Sequence, residues 1–204
     1  QNGLNRFNGY QMKVWLSDEQ KIDFPNDMIR EMFYENDTLW MTTHTNALCA
    51  YILAEDRFIH FSDQLDFEKN PSLRYSLALH AASNNILIIG TAGHCLLFDR
   101  RNFKYDVLRI PQLLENDFVT CIESLDENHY LIGTNATGLY LLDISKKTVA
   151  SADYLKKLEH VQINALYKQT SNKLLIGTGN GVYLFDIHTQ RLSLESDRVI
   201  RSIH

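Results

Sequence analysis

Apolar segments separated by short polar turns follow one another along the whole chain, and four of them resemble each other. Each contains an apolar run, a threonine, a polar turn of two to four residues and a second apolar run, and they span residues 37–52, 85–99, 129–143 and 172–186. The threonines that anchor them, Thr43, Thr91, Thr134 and Thr178, are 48, 43 and 44 residues apart. This spacing predicts a repeat of about 44 residues that forms one supersecondary unit per period.

The rest of each period predicts four antiparallel strands. We name them A to D, with A nearest to the axis around which the sheets would stack. Strands B and C form the segments above, a modest strand D follows, and an alternating strand A precedes the next B at residues 28–35, 73–80, 118–125 and 161–168. A four-stranded sheet with apolar residues on both faces cannot bury them alone, whereas sheets stacked around an axis can. The prediction is an all-β fold of β-propeller blades, since a β-sandwich has no reason for a strict period.

The phase of the repeat places the predicted blades approximately at residues 1–17 (strands C and D only), 27–64, 73–109, 118–151, 161–197 and 199–204 (strand A only). An unpaired strand leaves backbone groups unsatisfied. The pattern therefore predicts a partial propeller of four complete blades, with further repeats on both sides in a longer parent chain. In the alternative, the last strand A joins the first strands C and D in a ring that lacks one strand.

Composition excludes several classes of partner. The net charge of −5, without a long cluster of Lys and Arg, argues against nucleic acid and against an anionic membrane surface. No apolar stretch is long enough to span a bilayer. Cys49, Cys95 and Cys121 lie in apolar runs and are expected to be buried, without a metal-binding spacing.

The repeat also resembles a known family. Residues 39–43 (Leu-Trp-Met-Thr-Thr), 131–134 (Leu-Ile-Gly-Thr) and 175–186 are similar to the two-component regulator propeller repeat, which contains an aliphatic-Trp-Ile-Gly-Thr strand, an Asn-Gly-Gly-like turn and a Gly-Leu-x-x-aromatic-Asp strand. The opening residues 2–15 resemble an early blade in the sensor half of hybrid two-component systems. Thr42 replaces the glycine of the motif and Cys95 stands where leucine is usual, as expected of drift between blades.

The resemblance implies a sensory, non-catalytic role in a membrane-anchored receptor. In that family the propellers lie in the periplasm, recognise products of a polysaccharide and signal to a cytoplasmic histidine kinase that controls carbohydrate-utilisation genes. It further implies that the partners of this region are an oligosaccharide ligand, the remaining blades of the parent chain and a second copy of the parent in a homodimer.

In a propeller, a ligand is expected on the face where the B–C turns and the D–A links emerge. Neutral amides, short acids and an aromatic ring there suit the hydroxyl groups and flat faces of sugars. The predicted ligand-binding residues are His44, Asn46, His94, Asn135 and Asn180 in the B–C turns, and Asp66, Asn116, Asp153 and Tyr154 in the D–A links. Turns favour these residue types for backbone reasons as well, so a structural role for each is the alternative.

Residues that recur in every blade are predicted to serve the fold. The Gly-Thr pairs are followed by neither a helix nor a lysine, so they do not form a phosphate loop. The closing apolar residues Phe7, Tyr51, Phe98 and Phe185 are predicted packing residues.

No catalytic residue, metal site or cofactor is predicted. His44 and His94 lie in near-equivalent turns, but no third ligand recurs with them. The acids Asp117 and Glu123 could serve a propeller enzyme that acts on polysaccharide, and they are equally compatible with a solvated surface. Such an enzyme and a protein-interaction scaffold are the alternatives to a sensor.

Overall fold

The molecule is built almost entirely from antiparallel strands. The computed structural model describes residues 3–16, 24, 28–44, 47–62, 64–114 and 116–198. Strands β1 (Leu4–Phe7) and β2 (Met12–Trp15) pair with each other in a hairpin. The strands that follow within the described residues form four-stranded sheets.

Each four-stranded sheet is one predicted blade. The first sheet has β3 (Ile29–Glu35), β4 (Thr38–Thr43), β5 (Ala47–Ile52) and β6 (Arg57–His60), and the second has β7 (Ser76–Ala81), β8 (Ile86–Thr91), β9 (His94–Asp99) and β10 (Tyr105–Arg109). The third has β11 (Val119–Ser124), β12 (His129–Thr134), β13 (Leu139–Asp143) and β14 (Thr148–Ala150), and the fourth has β15 (Ile163–Lys168), β16 (Lys173–Thr178), β17 (Gly181–Asp186) and β18 (Arg191–Ser196). Neighbouring strands follow chain order, which confirms the prediction of propeller blades. The predicted strand A at 199–204 lies outside the described residues.

The chain divides into two compact units, residues 1–79 and 80–204, and the division falls within β7. Each unit is described separately. Residues 1–79 contain the β1–β2 hairpin and the first sheet, and residues 80–204 contain β8 to β18.

An aromatic cluster joins the hairpin to the first sheet in residues 1–79. The Trp15 ring meets the Tyr51 ring edge-on at 5.0 Å, and the Tyr51 ring lies 4.8 Å from the Phe58 ring. Leu4 and Met41 are buried in the same core. Tyr51 is 2% exposed, which confirms its predicted packing role.

The prediction that Phe7 packs in a core is wrong. Phe7 is 65% exposed, and its cross-strand partner Met12 is 62% exposed. The hairpin has only two strands, and its covered face is the one that carries Leu4 and Trp15. Phe7 therefore lies on a face that no strand among the described residues of this unit covers.

In residues 80–204 strand β11 brings the sheets together, since it lies against β8 of the second sheet and β15 of the fourth. The Thr120 hydroxyl donates to the Ile163 carbonyl at 2.6 Å, and Lys168 Nζ donates to the Leu125 carbonyl at 2.9 Å. The core between the third and fourth sheets includes Phe185, which is 1% exposed as predicted.

Two segments differ from the prediction because short 3-10 turns replace extended chain. The strand predicted at 73–80 begins at Ser76, since Pro71–Arg74 form a 3-10 turn that buries Leu73. The D–A link that carries Asp153 and Tyr154 contains a 3-10 helix, Asp153–Leu158. Leu155 and Leu158 are three residues apart, so they share one face of this helix and are buried together.

The end of the sheets that carries the A–B and C–D turns has the same backbone geometry in all four sheets. The first residue after strand C donates its N–H to a carbonyl in the A–B turn at 2.8–2.9 Å; the pairs are Leu53 with Asp37, Arg100 with Asn85, Ile144 with Asn128, and Ile187 with Asn172. The fourth residue after strand C has a left-handed φ of 52–59° in each sheet: Asp56, Phe103, Lys147 and Gln190. We call the recurring bond, from the N–H of the first residue after strand C to a carbonyl of the A–B turn, the turn lock.

The aspartate that closes the repeat also serves this turn. Asp143 accepts hydrogen bonds from the Ser145 hydroxyl at 2.6 Å and the Lys146 N–H at 3.0 Å, and these bonds lower the pKa of its carboxyl. Asp186 accepts from the Thr189 N–H at 2.7 Å, which lowers its pKa in the same way. These turns therefore depend on ionised carboxylates.

Candidate functional site

The B–C turns lie at the opposite end of the sheets, and the repeated threonine closes them. The Thr178 hydroxyl donates to the Gly181 carbonyl at 2.8 Å and accepts from the Asn180 N–H at 3.0 Å. Thr134 makes the corresponding bond to the Gly138 carbonyl at 2.9 Å. These two threonines therefore serve the fold, as predicted for residues that recur in every blade.

The glycine before the threonine allows close packing between neighbouring sheets. A Cβ on Gly133 would lie 2.5 Å from Cys121 Sγ and 2.7 Å from Ile163 Cγ2. Both distances are shorter than real Cβ contacts, so no larger residue fits without a shift of β11 or β15. The Gly-Thr pair is structural, as predicted.

Thr43 is the exception among the repeated threonines. Its side chain is fully buried, and its hydroxyl has no hydrogen-bond partner among the described residues. The buried hydroxyl of Ser76 instead donates to the carbonyls of Thr43 and Ala47, at 3.3 and 3.0 Å. The turn after β4 is therefore held differently from those of the third and fourth sheets.

A cluster of three side chains surrounds this turn. The His44 ring lies edge-on to the Tyr75 ring with centroids 5.7 Å apart, and Arg30 Nη2 lies 3.2 Å from His44 Nδ1. Because the guanidinium can only donate, Nδ1 is the acceptor and the neutral imidazole carries its hydrogen on Nε2. Tyr75 is 41% exposed and follows the 3-10 turn that anchors Leu73. We call Arg30, His44 and Tyr75 the first-sheet cluster.

The first-sheet cluster combines a cation, an imidazole and an exposed aromatic ring. Such a set can stack against the flat face of a sugar while its N–H groups bind hydroxyl or carboxylate oxygens. The sequence predicted only His44 of the three. Arg30 and Tyr75 were missed because they lie within segments that the alternating pattern assigned to strand A.

Five other predicted residues lie where their polar groups or rings serve the fold. His94 Nδ1 lies 3.0 Å from the Ala92 carbonyl, and Asn135 Oδ1 accepts from the Phe118 N–H at 2.7 Å. Three more are in the D–A links, where Asp66 pairs with Lys69, Asp153 pairs with Lys156, and the Tyr154 ring stacks on Phe185 at 5.6 Å. A ligand role for these five stays a prediction.

Asn116 and Asn180 are exposed, and their side-chain amides have no hydrogen-bond partner among the residues that the structure describes. Asn46 lies outside the described residues. The structure therefore brings His44 together with two new residues and leaves the remaining predicted residues dispersed over several turns.

The chemistry of the described residues gives little support to a reactive centre. Burial raises the pKa of Cys49, Cys95 and Cys121 to about 12, which keeps all three as neutral thiols. Asp117 accepts from the Leu114 N–H and Glu123 accepts from the Ser124 N–H, so both acids serve local turns or strands. No group of three His, Cys, Asp or Glu side chains in the described part of the chain could hold a metal ion.

Comparison with solved structures identifies the architecture. The chain superposes on the extracellular domain assigned to the hybrid two-component system BT3049 from B. thetaiotaomicron, with a TM-score of 0.75 and 18% identity, over 96% of this chain and 27% of that chain. Two structures of the extracellular domain of BT4673 from the same organism, one assigned to a one-component and the other to a hybrid two-component system, give TM-scores of 0.72 and 0.71 with 21% and 22% identity. They match 100% and 92% of this chain and 28% and 26% of their own.

The fold is that of these extracellular domains. The chain spans about a quarter of the length of each of them. It matches no family model and no curated protein. Among the described residues no helix has the length and apolar character needed to cross a membrane.

Proposed function

We propose that the chain is part of the ligand-sensing, extracytoplasmic region of a hybrid two-component system, and that this region lies in the periplasm. Its ligand is an oligosaccharide released from a polysaccharide, and ligand binding controls carbohydrate-utilisation genes through a cytoplasmic kinase of the parent. The observation that carries the proposal is the similarity in fold to extracellular domains assigned to such systems. The resemblance of residues 2–15 and 175–186 to the two-component regulator propeller repeat supports it independently.

The first-sheet cluster is the proposed contact for the oligosaccharide. Tyr75 offers an exposed ring, and Arg30 and His44 place their nitrogen atoms beside it. In this proposal the region binds without cleaving; its thiols are neutral, and the acids Asp117 and Glu123 accept bonds from local N–H groups. A ligand acts on signalling through its different affinity for two arrangements of the receptor.

The apolar surface of the β1–β2 hairpin supports a second part of the proposal, namely that further blades of the parent chain pack here. Phe7, Met12 and Val14 are 65%, 62% and 49% exposed on one small hairpin. Contiguous exposed apolar side chains of this kind mark interaction surfaces. A homodimer of the parent is part of the same proposal.

The test is isothermal titration calorimetry of the protein with oligosaccharides from partial digests of plant and host polysaccharides. We expect at least one oligosaccharide to bind. Tyr75→Ala is expected to lower the affinity for that oligosaccharide about tenfold, because a stacking contact is lost. Tyr167→Ala is the matched control, since Tyr167 on β15 is 43% exposed and lies outside the cluster. Equal weakening by both variants, or release of new reducing ends from the oligosaccharide, would contradict the proposal.

A further inference from the structure

A cleft lies between the second and third sheets, at the end that carries the A–B and C–D turns and inside residues 80–204. Its volume is about 460 Å³, within the range of small-molecule sites. Leu97 is buried at its apolar floor, beside the half-buried Ile86 and Ile144. It lies at the end of the sheets opposite to the B–C turns, so it is separate from the turns in which the sequence predicts a ligand.

Backbone bonds hold the cleft in a defined shape. The turn lock fixes both walls, since the Arg100 N–H donates to the Asn85 carbonyl and the Ile144 N–H donates to the Asn128 carbonyl, both at 2.9 Å. The Ser83 hydroxyl donates to the Glu127 carbonyl at 2.9 Å and ties the A–B turns of the two sheets together. A site with fixed walls loses little entropy when it binds a ligand.

Three polar side chains of the cleft, the exposed Asn84 and Asn128 and the half-buried Tyr105, have no hydrogen-bond partner in the described part of the chain. The amides of Asn84 and Asn128 and the hydroxyl of Tyr105 make no hydrogen bond to any residue that the structure describes. Asn102 behaves differently, because its Nδ2 donates to Asp99 and its Oδ1 accepts from the Lys104 N–H, both at 2.8 Å. The cleft thus offers two amides, each both donor and acceptor, and one phenol.

The charges around the cleft balance. Its lining contains two lysines, Lys104 and Lys147, and two aspartates, Asp99 and Asp106. Lys147 of the third sheet pairs with Asp106 of the second at 2.8 Å, across the junction. The lining therefore has no net charge that would favour a charged ligand, whereas a neutral molecule with many hydroxyl groups can use the amides, the phenol and the apolar floor.

The next junction in the same unit, between the third and fourth sheets, serves as an internal control. Strand register places Val149 where the second sheet has Tyr105, and Ala150 where it has Asp106. His129 stands at the position of Ile86 and lies 2.9 Å from Asp126. The backbone of the turns repeats while these three side chains do not, so the propeller fold does not require Tyr105, Asp106 or Ile86 at the cleft. Asn128 does recur, as Asn172 in the fourth sheet, and Asn84 has a left-handed φ of 57°, so the distinctive part of the lining is Tyr105.

We propose that this cleft binds a neutral saccharide of one or two rings, with an apolar sugar face against the Tyr105 ring and the aliphatic floor. The amides of Asn84 and Asn128 bind its hydroxyl groups. The site is distinct from the first-sheet cluster and does not depend on the function proposed for that cluster.

Nuclear magnetic resonance of the whole protein tests the proposal, with maltose and cellobiose as probes and glucuronate and tetraglycine as a charged and a peptidic comparison. The side-chain NH₂ signals of Asn84 and Asn128 are expected to shift with a disaccharide and to stay unchanged with glucuronate and tetraglycine. Tyr105→Val, which installs the residue found at the equivalent position of the third sheet, is expected to weaken binding about tenfold.

Two further variants keep the result interpretable. Tyr105→Phe retains the ring and is expected to weaken binding less than Tyr105→Val, and Tyr75→Ala is expected to leave these NH₂ shifts unchanged. The proposal is overturned if no saccharide shifts the two signals, if Tyr105→Val binds as well as the unmodified protein, or if tetraglycine or glucuronate binds more tightly. If the saccharide no longer shifts the two NH₂ signals in Tyr75→Ala, the proposal is also overturned, because the two sites would then not be distinct.

Discussion

The first and fourth sheets have the same strand order and the same turn lock, but three equivalent positions are used differently. Position by position, Thr43 corresponds to Thr178, Tyr51 to Phe185 and Asp56 to Gln190. In the fourth sheet the threonine hydroxyl is bonded and the closing ring is purely apolar. In the first sheet the hydroxyl is buried without a described partner.

The closing ring shows the same contrast. Tyr51 is as buried as Phe185, yet its hydroxyl reaches a polar edge, where it donates to Asp56 Oδ1 at 2.6 Å and lies 3.4 Å from Arg6 Nη1. Asp56 also pairs with Lys13 of the hairpin. The main-chain geometry is therefore the same in each repeat, whereas the side chains at equivalent positions make different contacts, according to what lies next to each sheet.

The largest effect is expected from the closing ring of the fourth sheet. Phe185→Ala removes a fully buried ring that stacks on Tyr154, and we expect the free energy of unfolding to fall by about 3–5 kcal/mol. Chemical denaturation measures the change. Tyr10→Ala is the control, since Tyr10 is 95% exposed and its loss is expected to change little. An unchanged denaturation midpoint for Phe185→Ala would contradict the placement of this ring in the core.

An intermediate effect is expected from the paired threonines. Thr178→Val leaves the Gly181 carbonyl and the Asn180 N–H without their partner, and should cost about 1–2 kcal/mol of unfolding free energy. Thr43→Val has the same change in shape but removes a buried hydroxyl that has no hydrogen-bond partner among the described residues, so it should be neutral or stabilising. Equal destabilisation by the two substitutions in thermal and urea unfolding would show that the Thr43 hydroxyl has a bonded partner.

The smallest effect is expected at the left-handed position of the C–D turn. Gln190 has a φ of 54°, and Gln190→Gly should stabilise the protein by about 0.5–1 kcal/mol, because the relief of strain exceeds the added entropy of the unfolded chain. Asp56 occupies the equivalent position in the first sheet. Asp56→Gly removes its bonds with Tyr51 and Lys13, so no gain in unfolding free energy is expected there. A gain for Asp56→Gly equal to that of Gln190→Gly in the same unfolding experiment would contradict the comparison.

The repeated part of the structure could be predicted from the sequence. The period placed the strands of each blade to within a few residues, and the role of the threonines followed from their recurrence, as Thr134 and Thr178 show. These features depend on local hydrogen bonds and on alternation along one strand, and both are written in consecutive residues.

The remaining features depend on contacts between distant residues. Phe7 occupies a closing position of the repeat, but its burial needs strands that the described hairpin does not have. Tyr154 stands in a polar link, and only the packing of the 3-10 helix places its ring on Phe185. The cleft was missed because it combines turns of two sheets, although the departure of Tyr105 from the repeat was a signal that could have indicated it.

The turn lock joins two main-chain groups, so no substitution can delete either of its atoms except a proline at the donor. A copied or exchanged blade therefore brings its own closure, whatever side chains surround it. Gain, loss or shuffling of whole blades in a gene can change the length of such a repeat protein in steps of one repeat, without redesign of the turns at the junctions. Each new junction is then free to acquire its own lining and its own ligand.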